Sequence, residues 1–383
     1  MSLNYCKQHP FKASIKERFL LSSPESPKKT HHIVLDIEKS GLQYEAGDSI
    51  GIFPRHEKAL VEKTLKALNA TGQEIVVSKH SQEEIVLFDY LTHKSSITTI
   101  SLKLFRAVAE RQTCLEKKDH LLALLTEERR EDCKTYIQQR EIWDFLIENE
   151  EVYFSPQEFS DLLMPLLPRF YSISSSQKFV GNEVHLTVAH LEFESGGHQR
   201  KGVCTHFLCG LSEVNVPEIP IFIQPSHGFG LPEDKNAPLV MIGPGTGIAP
   251  FRAFMQERIF HHQSKGDHWL FFGERHRTHD FYYEEEWEEF SKHGNLKVHT
   301  AFSRDQEHKI YVQHKMQENG EDLFAWLEKG AYLYVCGDAG RMAKDVDAAL
   351  EAIVKEYGKL EAVAAKNYIK LLRKNKRYLR DVY

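Results

Sequence analysis

The chain has 383 residues, of which 41% are apolar and 27% charged, and this length favours two or three domains over one. A formal net charge of −6 argues against a generally basic nucleic-acid-binding protein. No apolar run reaches the roughly 18 residues that a membrane helix needs. Charged residues from Lys7 onward interrupt any signal-peptide core, so we expect a cytoplasmic protein without a membrane span.

The cysteines are scattered and form no C-x-x-C pair; they are Cys6, Cys114, Cys133, Cys204, Cys209 and Cys336. The sequence also lacks an H-E-x-x-H motif. This pattern favours a reducing compartment over a disulfide framework, and it predicts no metal site.

The first half alternates between two kinds of pattern. Ile33, Leu35 and Ile37 alternate as in a strand, and a second strand is predicted at Ser49–Pro54. From about residue 57 to 150 the apolar spacing is mostly helical, and strand-like alternation returns at Val184–Val188. We therefore predict a β domain split by a long helical insert.

After a turn-rich linker the pattern becomes a regular alternation of strands and helices. Strand-like runs lie at Pro238–Ile242, Trp269–Phe272, Leu296–Phe302 and Tyr332–Cys336. Helical patterns lie at Ala249–His262, Tyr283–Lys292, Tyr311–Asn319 and Arg341–Tyr357. This alternation predicts a parallel, doubly wound sheet.

The sharpest motif is a glycine-rich turn, Gly243-Pro244-Gly245-Thr246-Gly247, between a buried strand and a helix that begins near Pro250. Small residues there let backbone N–H groups approach a phosphate at a helix N-terminus. The turn is neither G-x-G-x-x-G, because Ile248 replaces the third glycine, nor a Walker A loop. A tight structural turn is the alternative.

Two further segments suit anionic or aromatic ligands. Arg169, Tyr171 and Ser172 can pair with a diphosphate, stack and hydrogen-bond a ring, although a serine-rich turn after a strand is equally compatible. Gly202–Thr205 precedes a helical pattern and makes a weaker anion site.

Two strand ends and the C-terminus complete the candidates. Ser303 and Arg304 follow a strand, with Lys309 nearby, and suit an extra phosphate better than an NAD ribose; a solvated basic loop is the alternative. Cys336 lies at the end of another strand. It either faces the same ligand-binding crevice as Ser303 and Arg304 or is a small core residue. Tyr383 is the C-terminal residue, and the alternative is that it is a frayed aromatic without a role.

Taken together in order and spacing, these motifs resemble the ferredoxin–NADP reductase superfamily. The segments that carry the resemblance are Arg169–Ser172, Ile242–Pro250, Ser303–Arg304, Cys336–Asp338 and Asp381–Tyr383. The helical insert is typical of the diflavin-reductase branch. Within that branch the chain resembles, from about Lys12 to Tyr383, the flavoprotein components of bacterial NADPH–sulfite reductases.

The resemblance implies a fold and its boundaries. It implies a split antiparallel β-barrel FAD domain at 1–56 and 156–233, with a helical connecting insert at 57–155. An α/β doubly wound parallel-sheet NADP-binding domain is expected at 234–383.

The resemblance also implies FAD-binding residues. They are Thr92, Arg169, Phe170, Tyr171, Ser172, Thr187, Val188, Ala189, Phe193, Gly202, Val203, Cys204 and Thr205. Phe193 stands where the family often has tyrosine. Val203-Cys204-Thr205 departs from a smaller Gly-Ala-Ser triplet but keeps the hydroxyl.

A second set is implied for NADPH: Gly243, Gly245, Thr246, Gly247, Ser303, Arg304, Lys309, Ile310, Tyr311, Val312, Gln313, Asp345 and Tyr383. The catalytic group implied is Ser172, Cys336, Asp381 and Tyr383, of which Tyr383 would stack on the flavin and swing aside for nicotinamide.

The implied activity is an FAD-dependent NADPH reductase, a diaphorase in type. Diflavin enzymes carry an N-terminal FMN domain, but nothing before Phe11 resembles its phosphate loop, so FAD and NADPH are expected without FMN. Single electrons would pass to a separate flavodoxin, ferredoxin or sulfite-reductase haemoprotein. A catalytically silent flavin-binding scaffold of a haemoprotein complex is the alternative.

One basic run suggests where such a carrier could dock. It contains Lys366, Lys370, Arg373, Lys374, Lys376, Arg377 and Arg380 and no acidic residue. A solvated helix face is the alternative.

Overall fold

The structure, a computed structural model, describes residues 5–79 and 82–383. Residues 1–4 of the expected FAD domain and residues 80 and 81 of the expected insert lie outside the described residues. Among the residues described, no helix has the length and apolar character needed to cross a membrane.

The strands, in chain order, are β1 Phe11–Leu20, β2 Thr30–Asp36, β3 Ser49–Ile52, β4 Ile75–Val77, β5 Glu84–Val86, β6 Ser95–Ser96, β7 Met164–Pro165, β8 Arg169–Ser172, β9 Glu183–Ala189, β10 Glu192–Ser195, β11 His198–Lys201, β12 Ile219–Gln224, β13 Leu239–Ile242, β14 Asp267–Glu274, β15 Asn295–Phe302, β16 Tyr332–Gly337 and β17 Tyr378–Val382.

The α-helices are α1 Lys58–Leu68, α2 Leu87–His93, α3 Leu102–Arg111, α4 Leu115–Leu124, α5 Arg130–Gln138, α6 Ile142–Glu148, α7 Pro156–Leu162, α8 Gln177–Val180, α9 Val203–His206, α10 Ala249–Met255, α11 Arg277–Asp280, α12 Glu284–His293, α13 Val312–Glu318, α14 Gly320–Glu328, α15 Met342–Tyr357 and α16 Ala362–Lys374. Helices α9 and α10 continue as π-helix at Phe207–Leu211 and Gln256–His261. Short 3₁₀ turns lie at Glu127–Arg129 and Gly245–Ile248.

The chain forms two compact units. The first comprises residues 5–52, 170–190 and 212–383, and the second comprises 53–169 and 191–211. The first unit holds both large sheets, whereas the second combines the helical insert with the β10–β11 hairpin. The three-part domain boundaries that the sequence implies stay a prediction.

An antiparallel sheet forms one part of the first unit, in the order β8-β3-β12-β1-β2-β9. Strand β2 lies near its edge, with Ile33 opposite Arg18 of β1 and Leu186 of β9. Ile33 and Leu186 are fully buried, since the alternating apolar side chains face the interior of the sheet.

A parallel sheet forms the other part of the first unit, in the order β15-β14-β13-β16-β17. All four residues of β13 are buried, because helices cover a parallel sheet on both faces. Helix α15 contributes Val346 and Leu350 to one core, while Phe251 and Phe254 of α10 belong to a second. The predicted fold class is confirmed.

Hydrogen bonds join the segment after β8 to the helix that follows the glycine loop. Arg252 donates from Nη1 to the Ser174 carbonyl at 2.7 Å. The Ser176 N–H donates to Gln256 Oε1, and its hydroxyl donates to Glu257 Oε2, each at 2.9 Å. The two sheets of this unit are therefore fastened together close to Ser172.

Buried histidines lie beside this junction. His185 contacts Glu183 at 2.9 Å, and His32 contacts the Tyr283 hydroxyl at 2.9 Å. Burial, with the charge of Arg252, lowers the pKa of His185 to about 4 and that of His32 to about 2. Both rings are therefore neutral at neutral pH.

The second unit has a helical core of its own. Phe105 of α3 and Phe145 of α6 stack with centroids 5.4 Å apart. Arg200 of the β10–β11 hairpin is buried and pairs with Glu141, at 2.9 Å, and with Asp144. Because removing one partner of a buried ion pair is costly, this contact fixes the hairpin on the helices.

Candidate functional site

The glycine-rich turn lies at the carboxyl end of β13 and presses against the end of β16. A Cβ added at Gly247 would lie 2.1 Å from the Cys336 carbonyl oxygen, so only glycine fits there. Gly245 has a φ of 59°, in the left-handed region that glycine tolerates. The turn thus exposes backbone at a helix start, where an anion can approach.

Three of the four predicted catalytic residues meet in the first unit. Ser172 of β8 donates from Oγ to Asp381 Oδ2 at 2.5 Å, and the Cys336 sulfur lies 3.8 Å from the same carboxylate oxygen. Asp381 belongs to β17 and Cys336 to β16, so three strands of two sheets supply the group. The residues are far apart in sequence, and only the fold brings them together.

The Cys336 thiol stays protonated in this environment. It is fully buried, and burial together with the Asp381 charge raises its pKa well above the ordinary range. Reactive cysteines have depressed pKa values, so this sulfur is not activated as a nucleophile.

Tyr383 lies beside the glycine turn. Its hydroxyl is 2.7 Å from Thr246 Oγ1, and its N–H donates to the Gly337 carbonyl at 3.1 Å. The Ala339 N–H donates to the Tyr383 carbonyl at 3.0 Å, yet the residue remains 63% exposed. The C-terminal residue is therefore held by its backbone while its ring stays accessible.

A cavity of about 530 Å³ opens at the carboxyl ends of β13 to β16 in the first unit. The predicted NADPH residues that line it are Gly245, Ser303, Tyr311, Val312, Gln313 and Asp345. Those that do not are Gly243, Thr246, Gly247, Arg304, Lys309 and Ile310, together with Tyr383. Arg304 is exposed and follows directly on Ser303.

Charged residues that sequence reasoning missed also line this cavity. Lys28 forms an ion pair with Glu274, and Arg275 and Arg341 bring two guanidinium groups. Asp338 accepts the N–H of Arg341 at 2.7 Å, and such backbone donors lower its pKa. Among these missed residues, only Asp338 lies in a motif that the sequence singled out, Cys336-Gly337-Asp338; Lys28 lies in a distant loop.

The predicted flavin residues of the first unit differ in how exposed they are to solvent. Tyr171 and Ser172 are half-buried, whereas Phe170 is exposed and packs edge-on against Phe222 at 5.9 Å. Thr187 and Val188 are buried, and the Thr187 hydroxyl lies 2.7 Å from that of Tyr283. Ala189, at the end of the same strand, is half-buried.

The second unit holds the remaining predicted flavin residues. Arg169 and Phe193 are exposed, and the Arg169 guanidinium donates to the Leu167 carbonyl at 2.9 Å. Thr92 is buried and donates to the Phe88 carbonyl at 2.7 Å.

The segment Gly202–Thr205 leads into α9 in this unit. Thr205 Oγ1 donates to the Gly202 carbonyl at 3.1 Å and accepts the Leu191 N–H at 3.2 Å. A Cβ at Gly202 would lie 2.7 Å from that hydroxyl, while Val203 is half-buried and Cys204 is buried. The sequence departure at Val203-Cys204 therefore fills packing space and leaves the hydroxyl turn intact.

These residues suit a flavin and a nicotinamide nucleotide. Gly243 and Gly247 of the turn leave no room for a Cβ, and guanidinium groups, which can pair with a phosphate, line the adjoining cavity. Ser172 and Asp381 are half-buried and offer polar atoms, while Cys336 is fully buried beside them, and such a group suits the polar edge of a heteroaromatic ring.

Most of the basic run near the C-terminus has partners within the fold. Lys366 pairs with Glu351, and both Arg373 and Arg380 pair with Asp347. Arg377 donates to the carbonyls of Leu327 and Ala331 at the end of α14. The sequence shows no acid in the run, but acids on α15 face it.

Comparison with known proteins agrees with this geometry. Residues 4–207 match the model of an FAD binding domain, and residues 241–348 match that of an oxidoreductase NAD-binding domain.

Curated relatives match nearly the whole chain. The sulfite reductase (NADPH) flavoprotein alpha-component of Shewanella oneidensis is 42% identical over 99% of this chain and 61% of its own length. Those of Vibrio cholerae and Bacillus subtilis are 42% and 39% identical over 99% of this chain, covering 60% and 62% of their lengths. The chain thus spans about three-fifths of these relatives. It belongs to the flavoprotein family that the FAD binding domain defines, here joined to an oxidoreductase NAD-binding domain, and its resemblance to the diflavin-reductase branch of the ferredoxin–NADP reductase superfamily is confirmed.

Proposed function

We propose that the chain is an FAD-dependent NADPH reductase that accepts a hydride from NADPH and passes single electrons to a separate acceptor protein. The observation that carries this proposal is the meeting of Ser172, Cys336 and Asp381 beside the glycine turn. A protein that only binds nucleotides does not need a carboxylate aligned between a hydroxyl and a thiol.

The side chains have separate parts in this proposal. Bound FAD supplies the two-electron and one-electron chemistry that amino acids lack. The Ser172 hydroxyl donates its hydrogen bond to Asp381, so in this arrangement its oxygen can only accept a hydrogen bond from a flavin nitrogen. The Asp381 carboxylate can stabilise positive charge on a nicotinamide ring, and the Cys336 thiol can fix the position of that ring.

Coenzyme choice is assigned to the cavity and to Tyr383. Ser303, Tyr311 and Gln313 line the cavity and offer polar groups to a 2′-phosphate, and Arg304 follows Ser303. The exposed Tyr383 ring must leave its position to admit nicotinamide, so Tyr383→Ala should weaken the preference for NADPH over NADH. Unchanged preference and unchanged flavin reduction would overturn the role given to Tyr383.

The acceptor is proposed as a flavodoxin, a ferredoxin or a sulfite-reductase haemoprotein. The names of the relatives support a sulfite-reductase setting, since each is called an alpha-component of that enzyme. Docking through the basic run is less well supported than its sequence suggests, because Asp347 and Glu351 pair with three of its cations.

The deciding experiment is anaerobic rapid mixing of the FAD-loaded protein with NADPH and, separately, with NADH, while flavin absorbance is followed. Fast bleaching by NADPH and slow bleaching by NADH are expected. No bleaching by either coenzyme, with FAD bound, would support the flavin-binding scaffold instead.

A further inference from the structure

The last strand, β17, presents different partners on its two faces. Successive side chains of a strand point to opposite faces. Tyr378 and Arg380 therefore share one face, and Asp381 lies on the other, where it meets Ser172. Among the described strands, β17 pairs only with β16, at the edge of the parallel sheet. Its position thus depends on that ladder of backbone hydrogen bonds, on the bond between Asp381 and Ser172, and on whatever holds the face of Tyr378 and Arg380.

Asp347 of α15 holds that face. Its Oδ2 accepts from Arg380 Nη1 at 2.8 Å, and its Oδ1 accepts from Arg373 Nη2 of α16 at 2.8 Å. The Tyr378 hydroxyl also donates to Oδ1. One half-buried carboxylate therefore receives three donors from two elements, and it separates two guanidinium groups that would otherwise repel each other.

We propose that Asp347 is a positioning residue that holds β17 so that Asp381 reaches Ser172 and Tyr383 reaches Thr246. Asp347 lies on the outer face of the strand and contacts none of these four residues through its side-chain bonds. Its effect on them is transmitted along the backbone, from Tyr378 and Arg380 to the next residues of the strand. The kinetic part of this proposal rests on the proposed function, whereas the structural part does not.

The chain supplies a matched control on the same helix. Glu351 lies one helical turn after Asp347 and pairs with Lys366 of α16 at 3.7 Å. Glu351→Gln therefore removes an α15–α16 ion pair without removing a bond to β17. Asp347→Asn keeps the size of the side chain but loses the charge, while Asp347→Glu keeps the charge.

The first test is amide hydrogen exchange of the FAD-loaded full chain, read from peptides that cover residues 377–383. Losing a charge-assisted anchor should speed exchange in Asp347→Asn by about tenfold over β17, including the Tyr383 amide that donates to Gly337. Glu351→Gln should match the wild type, and Asp347→Glu should recover most of the protection. Exchange over β17 that equals the wild type, or that rises equally over both units, would overturn the proposal.

The second test separates positioning from binding. Asp347→Asn should lower kcat for NADPH-dependent flavin reduction severalfold while the Kd for 2′,5′-ADP stays within about twofold, because the cavity residues are untouched. An unchanged kcat, or an equal loss in Glu351→Gln, contradicts the proposal. If Asp347→Asn does not fold, Arg380→Gln removes one donor from the exposed end of the same anchor and should give a smaller change in the same direction.

These tests also keep the two proposals apart. A wild-type chain that does not oxidise NADPH would remove the proposed function, but the exchange data would still decide whether Asp347 holds β17.

Discussion

The serine–carboxylate–thiol group and the coenzyme cavity lie in one unit but are built differently. Ser172, Cys336 and Asp381 come from three strands, and their atoms are within hydrogen-bonding range. The cavity is lined largely from loops and helix starts, and its guanidinium groups include Arg341, which is exposed. In the proposed function, sheet geometry aligns the group with a reacting ring, whereas selecting a charged phosphate needs only positive charge within reach of it.

The largest expected effect comes from breaking the strand-built group. Asp381→Asn should slow flavin reduction by NADPH about 100-fold, because the charge that faces the developing positive ring is lost. Stopped-flow bleaching measures this rate. Asp322→Asn, which removes an exposed acid paired with Lys297, is the control and should leave the rate unchanged. If the rate in Asp381→Asn falls by less than threefold, the Asp381 carboxylate has no major part in the reaction.

Acid should weaken the junction between the two sheets of the first unit through the buried His185. His185 has a pKa of about 4 in the folded chain but takes up a proton near 6.5 when unfolded. Between these values the unfolded state binds more protons, so the free energy of unfolding falls as the pH drops from about 6.5 toward 4, by up to about 3 kcal/mol for this group.

Urea unfolding of wild type and His185→Gln at pH 7.5 and pH 4.5 checks this expectation. The variant should lose less stability than the wild type between the two pH values. His293→Gln removes an exposed ring and should keep the wild-type pH dependence. Equal acid losses in the wild type and His185→Gln would contradict the assignment.

An intermediate effect is expected in the coenzyme cavity, where charged side chains line the wall. Arg304→Gln should raise the Kd for 2′,5′-ADP about tenfold, because a guanidinium–phosphate contact is worth roughly that much, and the loss should shrink in high salt. Titration calorimetry measures it, with Arg277→Gln, an exposed arginine paired with Glu284, as the control. If Arg275→Gln weakens binding and Arg304→Gln does not, the phosphate is held by the residue that lines the cavity, and the sequence prediction for Arg304 is wrong.

The smallest effect is expected at the glycine turn, which adjoins both regions through Gly247 and Gly245. Thr246→Val removes the hydroxyl that lies 2.7 Å from Tyr383, a bond worth about 1 kcal/mol, and should reduce the preference for NADPH over NADH by about threefold. The ratio of kcat/KM for the two coenzymes measures it. The control is Thr300→Val, on β15, which should leave the ratio unchanged. If Thr300→Val shifted the ratio by the same amount, the effect of Thr246→Val could not be attributed to the lost bond to Tyr383.

The parallel sheet was predictable because its strands are short, apolar and separated by helical patterns. The predicted strand Pro238–Ile242 differs from β13 by one residue, and Tyr332–Cys336 differs from β16 by one. Strand β17 was not predicted, since Arg380 and Asp381 interrupt its apolar pattern and it is a strand only through pairing with β16. Helix α14 was also missed.

The site was predictable only where a motif is continuous in sequence. The glycine turn follows β13, and Ser172 and Cys336 lie at the ends of β8 and β16. The carboxyl ends of parallel strands, such as β13 and β16, are where ligands commonly bind. Lys28 and Arg275 meet in the cavity from loops more than two hundred residues apart, so no local pattern could join them.

The close approach of Gly247 to Cys336 ties two kinds of sequence change together. A methyl group at Gly247 would meet the Cys336 carbonyl at 2.1 Å, so the nucleotide turn cannot be remodelled without moving the strand end that carries the thiol. Substitutions in the turn and at Cys336 should therefore be non-additive in double-mutant cycles. Under the proposed function, coenzyme choice can therefore be redesigned more readily at cavity residues such as Ser303 and Gln313 than in this turn. Substitutions at those residues need not move the strand end that carries Cys336.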